Sequence, residues 1–181
     1  VEFFGMGKRA LESDRVAALA AQVLERNTGE AWGVRAGLQP HAPNTVDLRL
    51  FLRCAALGLP LSTHLAETPE ERAFVGQARG PQREFLERLG LWDETITQVI
   101  GRGLHPVEHL KPALAAARFI AAHVNDCDEA AIQTLAKTGT TVAYCPRASA
   151  YFGGGRAVGP HRYREMLRAG VNVALGIDSV V

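Results

Sequence analysis

Short apolar runs alternate along the chain with longer stretches in which apolar residues recur at helical spacing. Val1–Phe4 is strand-like and is closed by Gly5 and Gly7. Ser13 or Asp14 can cap a helix whose Val16, Leu19, Ala20, Val23 and Leu24 share a face, with Gly29 as its stop. Trp32–Leu38 is the second predicted strand, and Pro40 and Pro43 on either side of His41 make the segment after it an extended loop. Thr45 is the expected cap of a helix carrying Val46, Leu50, Cys54 and Leu57, which ends at Gly58. The third strand, Leu59–Ser62, ends in a polar tip, Thr63–Glu67. Thr68, Pro69 and Glu71 then form a capping-box signature.

Residues 80–112 are less regular. Gln82–Leu89 reads as helix, while Gly90, Gly101, Gly103, Pro106 and Pro112 read as loop markers. Ala117–Val124 is the fourth strand, with His123 at its end. Asp126 is the expected cap of the next helix, which Gly139 closes. Thr140–Tyr144 is the fifth strand. Cys145-Pro146-Arg147 stands at its exit, and the glycine-rich stretch that follows, Gly153–Gly155, reads as a flexible lid segment. Tyr163, Met166 and Leu167 mark a short helix before the sixth strand, Val171–Ile177, which ends at Asp178.

Apolar strands alternating with helices predict an α/β fold with a parallel sheet under helices. An open doubly wound sheet and a (β/α) barrel compete. No Gly-x-Gly-x-x-Gly follows a strand and polar groups stand at many strand exits, so the barrel is favoured. Residues 1–181 then form one catalytic barrel domain, with 80–112 an excursion over its mouth or outer face.

Composition narrows the function classes. With 181 residues, 47% hydrophobic and 22% charged, the chain supports one core, and a net charge of +1 argues against nucleic acid or anionic membrane as partner. No apolar run reaches the ~18–20 residues of a membrane span. The first residues lack the pattern of a secretory signal. Three separated cysteines, Cys54, Cys127 and Cys145, suit a reduced, cytoplasmic protein and disfavour a thiolate zinc site.

His41, His64 with Glu67, His123 and Asp178 each stand at the exit of a separate predicted strand, and a parallel barrel gathers such exits on one rim. Each has a structural alternative: a hydrogen-bonded histidine, a turn-forming Asp178, or Glu67 placed at a helix N-terminus. Four exits in register favour the joint reading. Imidazole and carboxylate suit a first-row divalent ion such as zinc, with iron, nickel or manganese as alternatives. Such an ion brings the pKa of bound water towards about 7. Glu67, three residues after His64, is placed to move protons beside it. His105, His109 and His161 are expected to serve packing or solvent contacts, and Cys145 to be a buried thiol.

Pro40-His41-Ala42-Pro43-Asn44-Thr45, His64-Leu65-Ala66-Glu67, Ala122-His123, Cys145-Pro146-Arg147 and Gly176-Ile177-Asp178-Ser179 together resemble the amidohydrolase superfamily, in its branch of cytosine deaminase-like, chlorohydrolase-like and adenosine-type aminohydrolases. The resemblance implies a (β/α)8 barrel of which this chain carries about strands 3 to 8, with one divalent metal. It makes His64 and Asp178 metal ligands. It also makes His123 a hydrogen-bonding partner of water or substrate, Glu67 the proton donor to a ring nitrogen and Asp178 the acceptor of the water's proton. His41 and Arg147 become substrate-binding candidates. Two departures stand out. The family's His-x-His pair does not occur in this chain, so the natural protein is expected to be longer. Ala148-Ser149 also stand where the deaminases carry Ser-Asn. The expected activity is hydrolytic deamination of a small amino-substituted heterocycle or nucleoside-like compound. The alternatives are dehalogenation or amide hydrolysis on the same scaffold, or a non-catalytic, metal-free relative or fragment. Neither nucleic acid nor membrane is expected as a partner, and a homo-oligomer is left open.

Overall fold

The computed structural model describes residues 1–28 and 35–178. β1 (Glu2–Phe3), α1 (Gly7–Leu11) and α2 (Arg15–Thr28) come first, then β2 (Gln39–Pro40) and α3 (Leu48–Ala55). β3 (Leu61–Leu65) leads into α4 (Pro69–Gln77), α5 (Pro81–Arg88), α6 (Glu94–Thr97) and α7 (Pro106–Ala116). β4 (Phe119–His123), α8 (Glu129–Thr138) and β5 (Thr141–Tyr144) follow, and α9 (Pro146–Tyr151), α10 (Gly154–Ala157), α11 (Tyr163–Arg168) and β6 (Val173–Leu175) complete the chain.

Several boundaries differ from expectation for local chemical reasons. The stop at Gly29 and the first three residues of the strand predicted over Trp32–Leu38 lie outside the described residues, as does Ser179, while residues 35–37 are irregular rather than strand. Leu38 makes a single bridge to Leu61 and the strand itself is Gln39–Pro40. Asp47, not Thr45, caps α3 by accepting the Arg49 N–H, while Thr45 Oγ1 turns to His41 Nδ1 at 2.7 Å. Asp128, not Asp126, caps α8, because Asp126 is held by a two-pronged pair with Arg72 at 2.6 and 2.7 Å. Pro106 opens α7 at its first turn, where a missing N–H costs nothing. Pro112 lies inside that helix, which burial of Val107, Leu110, Ala113 and Leu114 keeps intact. The glycine-rich stretch is also largely helical, since α9 and α10 flank Gly153. Thr68 caps α4 as expected, with Pro69 in its first turn.

All strand pairings among the described residues are parallel, and strands neighbour one another in chain order. β1 pairs with β2, and β3, β4, β5 and β6 form a continuous ladder. A doubly wound sheet reverses its order at a switch point, and no reversal occurs here; the succession is that of a (β/α) barrel. The join between β2 and β3 is irregular. Leu38 and Pro60, then Ser62 and Leu38, exchange backbone bonds, but the next bond runs from His64 N–H to His41 O at 2.7 Å, one residue out of step. Pro40 has no N–H to give β3, so the ladder skips there.

Burial alternates along β3 and β4: Leu61, Thr63 and Leu65, and Phe119 and Ala121, are buried, whereas Ser62, His64, Ile120 and Ala122 line an open cavity. The main core lies between the strands and α3, α7 and α8, with Phe51 against Phe119 at 6.3 Å. A smaller core of Phe74, Val75, Leu86, Ile96 and Ile100 anchors the α5–α6 segment to α4. Trp92 packs edge-on to Phe74 there, under Arg83.

His109, buried on α7, gives a pH prediction. Burial pushes its imidazole down to about 4 from an ordinary 6.5; nearby Asp47 opposes the shift and Arg102 adds to it. The unfolded chain takes up a proton below about 6.5 that the folded chain refuses until about 4, so this group's contribution is complete above pH 6.5 and is lost as pH falls. The loss is about 1.4 kcal/mol per pH unit and about 3 kcal/mol in total. His109→Leu should therefore show a smaller drop in urea midpoint than the parent between about pH 7.5 and about pH 5. Identical drops would remove His109 as the cause.

Candidate metal centre at the strand exits

The strand exits bring five of the predicted side chains together. His64 is the fourth residue of β3, inside the strand rather than in a tip beyond it, and it stands on the cavity face opposite buried Thr63 and Leu65. His123 is the last residue of β4 and is 1% exposed. His64 Nδ1 lies 2.8 Å from His123 Nε2, with the rings stacked at 5.0 Å and 24°. Asp178 completes the group: one ligand atom from each of His64, His123 and Asp178 lies within 4.8 Å of the others. Glu67, two residues past β3, places Oε1 3.7 Å from His123 Nε2. It does not cap α4, a role taken by Thr68.

His41 lies on the other side of His64, with ring centroids 5.0 Å apart, and Phe4 packs on it at 4.4 Å. Glu2, His41 and His64 form a second close group, and His64 Nε2 is 3.2 Å from Gln39 Nε2 and 3.5 Å from Glu2 Oε1. A cavity of about 490 Å³ opens over the cluster, lined by Gln39, Ser62, His64, Ala122, Cys145 and Asp178 among others. A separate cavity of about 630 Å³, bordered by Phe4, Met6, Arg9, Leu86 and Leu91, includes none of the candidate ligands.

The backbone is strained where these groups project. Ala66, His123, Val124 and Asp178 have φ of 51°, 72°, 53° and 59°, a region that side chains with a Cβ rarely occupy. Such residues persist where surrounding bonds over-determine them, and they cluster at working sites. Val124 N–H bonds to Leu65 O, and Asp126 N–H to Ala66 O, both at 2.9 Å.

Electrostatics sort the groups by protonation. Burial raises the Glu67 carboxyl above its usual range; His64 opposes the shift and Asp178 adds to it. Burial, with His64 as a second cause, lowers His123 to about 4 and also lowers His41. Burial thus favours the neutral imidazole of His123, the form that can both donate and accept a hydrogen bond. An imidazole–carboxylate donor set without thiolate suits zinc or a similar first-row ion. His64 and Asp178 offer the imidazole and carboxylate such an ion takes, and His123, hydrogen-bonded to His64 at 2.8 Å, stands beside them.

The remaining candidates fall outside the cluster. Arg147 is exposed in the first turn of α9 and does not line the 490 Å³ cavity. His161 stacks on Tyr144 at 3.9 Å and shares a hydrogen bond with His123 O at 2.8 Å, so it braces the β4 exit. His105 accepts the Val107 N–H and bonds Asp126 O through Nε2. Cys145 is buried, and burial pushes its thiol up.

Four residues facing or bracing the site escape sequence reasoning. Glu2 and Gln39 point at His64, and their signal is a polar side chain in an otherwise apolar strand run. Glu71 reads as part of a capping box, yet it is 3% exposed and its carboxylate accepts the N–H groups of Ala66 and Glu67, each at 2.8 Å. Burial pushes it up, and the two N–H bonds pull the other way by favouring the ionised form that can accept both. Asn125, 5% exposed, donates to Glu67 O at 3.2 Å and has no distinguishing pattern in sequence.

Comparison with known proteins gives a consistent result. The sequence model of the amidohydrolase family matches residues 6–181. The chain is 36% identical over 180 residues to the aminodeoxyfutalosine deaminase of Deinococcus radiodurans, covering 93% of this chain and 42% of that protein. The chain thus spans about two fifths of that relative's length. It superposes on the crystal structure of Helicobacter pylori aminofutalosine deaminase in complex with methylthio-coformycin with a TM-score of 0.75, at 20% identity, over 98% of this chain and 42% of that one, a likeness of fold. An adenosine deaminase from Xanthomonas campestris with bound zinc matches with a TM-score of 0.63 and 26% identity, over 98% of this chain and 36% of its own.

Proposed function

This chain belongs to the amidohydrolase family, and from that premise we propose that the protein hydrolytically deaminates a small adenine-nucleoside-like compound at a single divalent metal, zinc in the first instance. The observation that carries the reading is the cluster itself: His64 and His123 nitrogens 2.8 Å apart, Asp178 within 4.8 Å, and Glu67 3.7 Å from His123. Deaminases of adenine-type nucleosides among the relatives, one of them a zinc structure, support the substrate class and the metal.

His64 and Asp178 hold the metal, and His123 faces them from the β4 exit. When bound, the ion supplies Lewis acidity and lowers the pKa of water towards about 7. Glu67, kept protonated more readily by burial, gives its proton to the ring nitrogen next to the amino-bearing carbon. Asp178 takes a proton from the attacking water, and neutral His123 hydrogen-bonds the oxygen that attacks. Collapse sends the Asp178 proton out with the amino group as ammonia. The remaining hydroxyl proton returns to Glu67, leaving a ring carbonyl. His41, packed beside His64, contacts the substrate from the rim.

Ammonia release by the zinc-loaded full-length protein tests the reading on a panel that includes adenosine and aminodeoxyfutalosine. Turnover of at least one adenine nucleoside is expected. Zinc-replete protein that releases no ammonia from any of them would overturn it, and chloride released from a chlorinated heterocycle would place the protein with the dehalogenating members instead.

A further inference from the structure

We propose that Glu71 is a positioning residue: it locks the turn that carries Glu67, and so fixes the proton donor relative to His64 and His123. The inference rests on the roles given to those residues under Proposed function. A helix of this kind needs one acceptor at its start, and Thr68 Oγ1 already takes the Glu71 N–H at 3.2 Å. In a capping box the third-position carboxylate bonds the cap residue's own N–H. Glu71 instead reaches further back, to the N–H groups of Ala66 and Glu67, one oxygen to each at 2.8 Å. Its burial has therefore no explanation in helix capping.

The turn it reaches is the one that needs holding. Ala66 has a left-handed φ of 51°, and this reversal brings Glu67 back over the site after the strand has ended. The carbonyls of the same two residues are fixed from the opposite side: Ala66 O accepts from Asp126 N–H at 2.9 Å, and Glu67 O from the Asn125 side chain at 3.2 Å. Asn125 and Asp126 directly follow the His123–Val124 turn. The peptide groups of Ala66 and Glu67 are thus clamped between α4 and the exit of β4. Glu71 supplies the α4 jaw, and what it fixes is the separation of Glu67 from His123.

Glu71→Gln keeps one acceptor and turns an amide NH2 towards the other donor, so one bond is replaced by a repulsive contact. In the zinc-loaded full-length enzyme, kcat should fall about 10- to 100-fold with KM within about threefold and zinc content unchanged, since misplacement by about 1 Å can cost about a hundredfold. Asn125→Ala, which opens the other jaw without touching the buried carboxylate, should show the same split. Amide hydrogen exchange across 64–68 should accelerate at least about tenfold in Glu71→Gln while the body of α4 keeps its protection. Three outcomes would overturn the proposal: unchanged kcat, unchanged exchange at 64–68, or a joint loss of zinc, melting temperature and kcat that assigns Glu71 to the fold alone. If the parent protein deaminates nothing, the proposed function fails, and the exchange measurement still decides whether Glu71 holds the turn.

Discussion

Glu67→Gln in the full-length, zinc-loaded protein is expected to retain stoichiometric metal and to lose about 10²- to 10⁴-fold in kcat, the range typical of removing a positioned proton donor. Glutamine keeps the volume of the side chain and its hydrogen-bonding reach towards His123, 3.7 Å away. It cannot carry the proton. Burial pushes the Glu67 carboxyl up, so its protonated form is favoured relative to that of an exposed glutamate. Metal analysis and steady-state kinetics on one preparation decide the matter. Turnover within about threefold of the parent removes Glu67 from proton transfer, and loss of zinc makes it a ligand or its support.

Asp178→Asn should behave in the opposite way, with metal and turnover disappearing together. Asparagine is one of the few residues that accept the left-handed conformation seen at Asp178, where φ is 59°, so the substitution leaves the backbone at ease and removes only the charge. Replacing partners one step removed from a metal costs about 10- to 100-fold in affinity. Loss of a direct ligand should cost at least about 100-fold, read by competition with a chelator, with kcat down by at least about 10³-fold because the same carboxylate also accepts the water's proton. Asp178→Asn protein that holds zinc as tightly as the parent would exclude Asp178 from the ligand set. The paired variants separate metal binding from proton donation, which neither achieves alone.

What sequence reasoning reached depended on how each feature is encoded. Strand exits are legible because apolar runs stop abruptly at a polar residue, and His123 and Glu67 stand where that reading put them. β2 leaves no strand signature because its two residues include a proline and carry no periodic signal. Caps are ambiguous in sequence where two candidates stand within a few residues, and Asp47 prevails over Thr45 and Asp128 over Asp126. In each case the losing side chain is held elsewhere, by His41 and by Arg72. Pro112 misled because the contacts that keep α7 helical come from distant parts of the chain. Glu71 and Asn125 were illegible as site residues because their partners are peptide groups, which every residue has. The burial that makes those bonds matter exists only after folding.

The skipped step beside Pro40 divides the cluster into two neighbourhoods. Glu2, Gln39 and His41 belong to the pair of strands before the skip; His64, Glu67, His123 and Asp178 belong to the ladder after it. His64 is the one imidazole that faces both. A sequence change that slides β1 and β2 along β3 would therefore re-aim His41, the member of that pair of strands proposed to contact substrate, and would reach His64 through the bond from its N–H to His41 O, while Glu67, His123 and Asp178 keep the ladder that carries them.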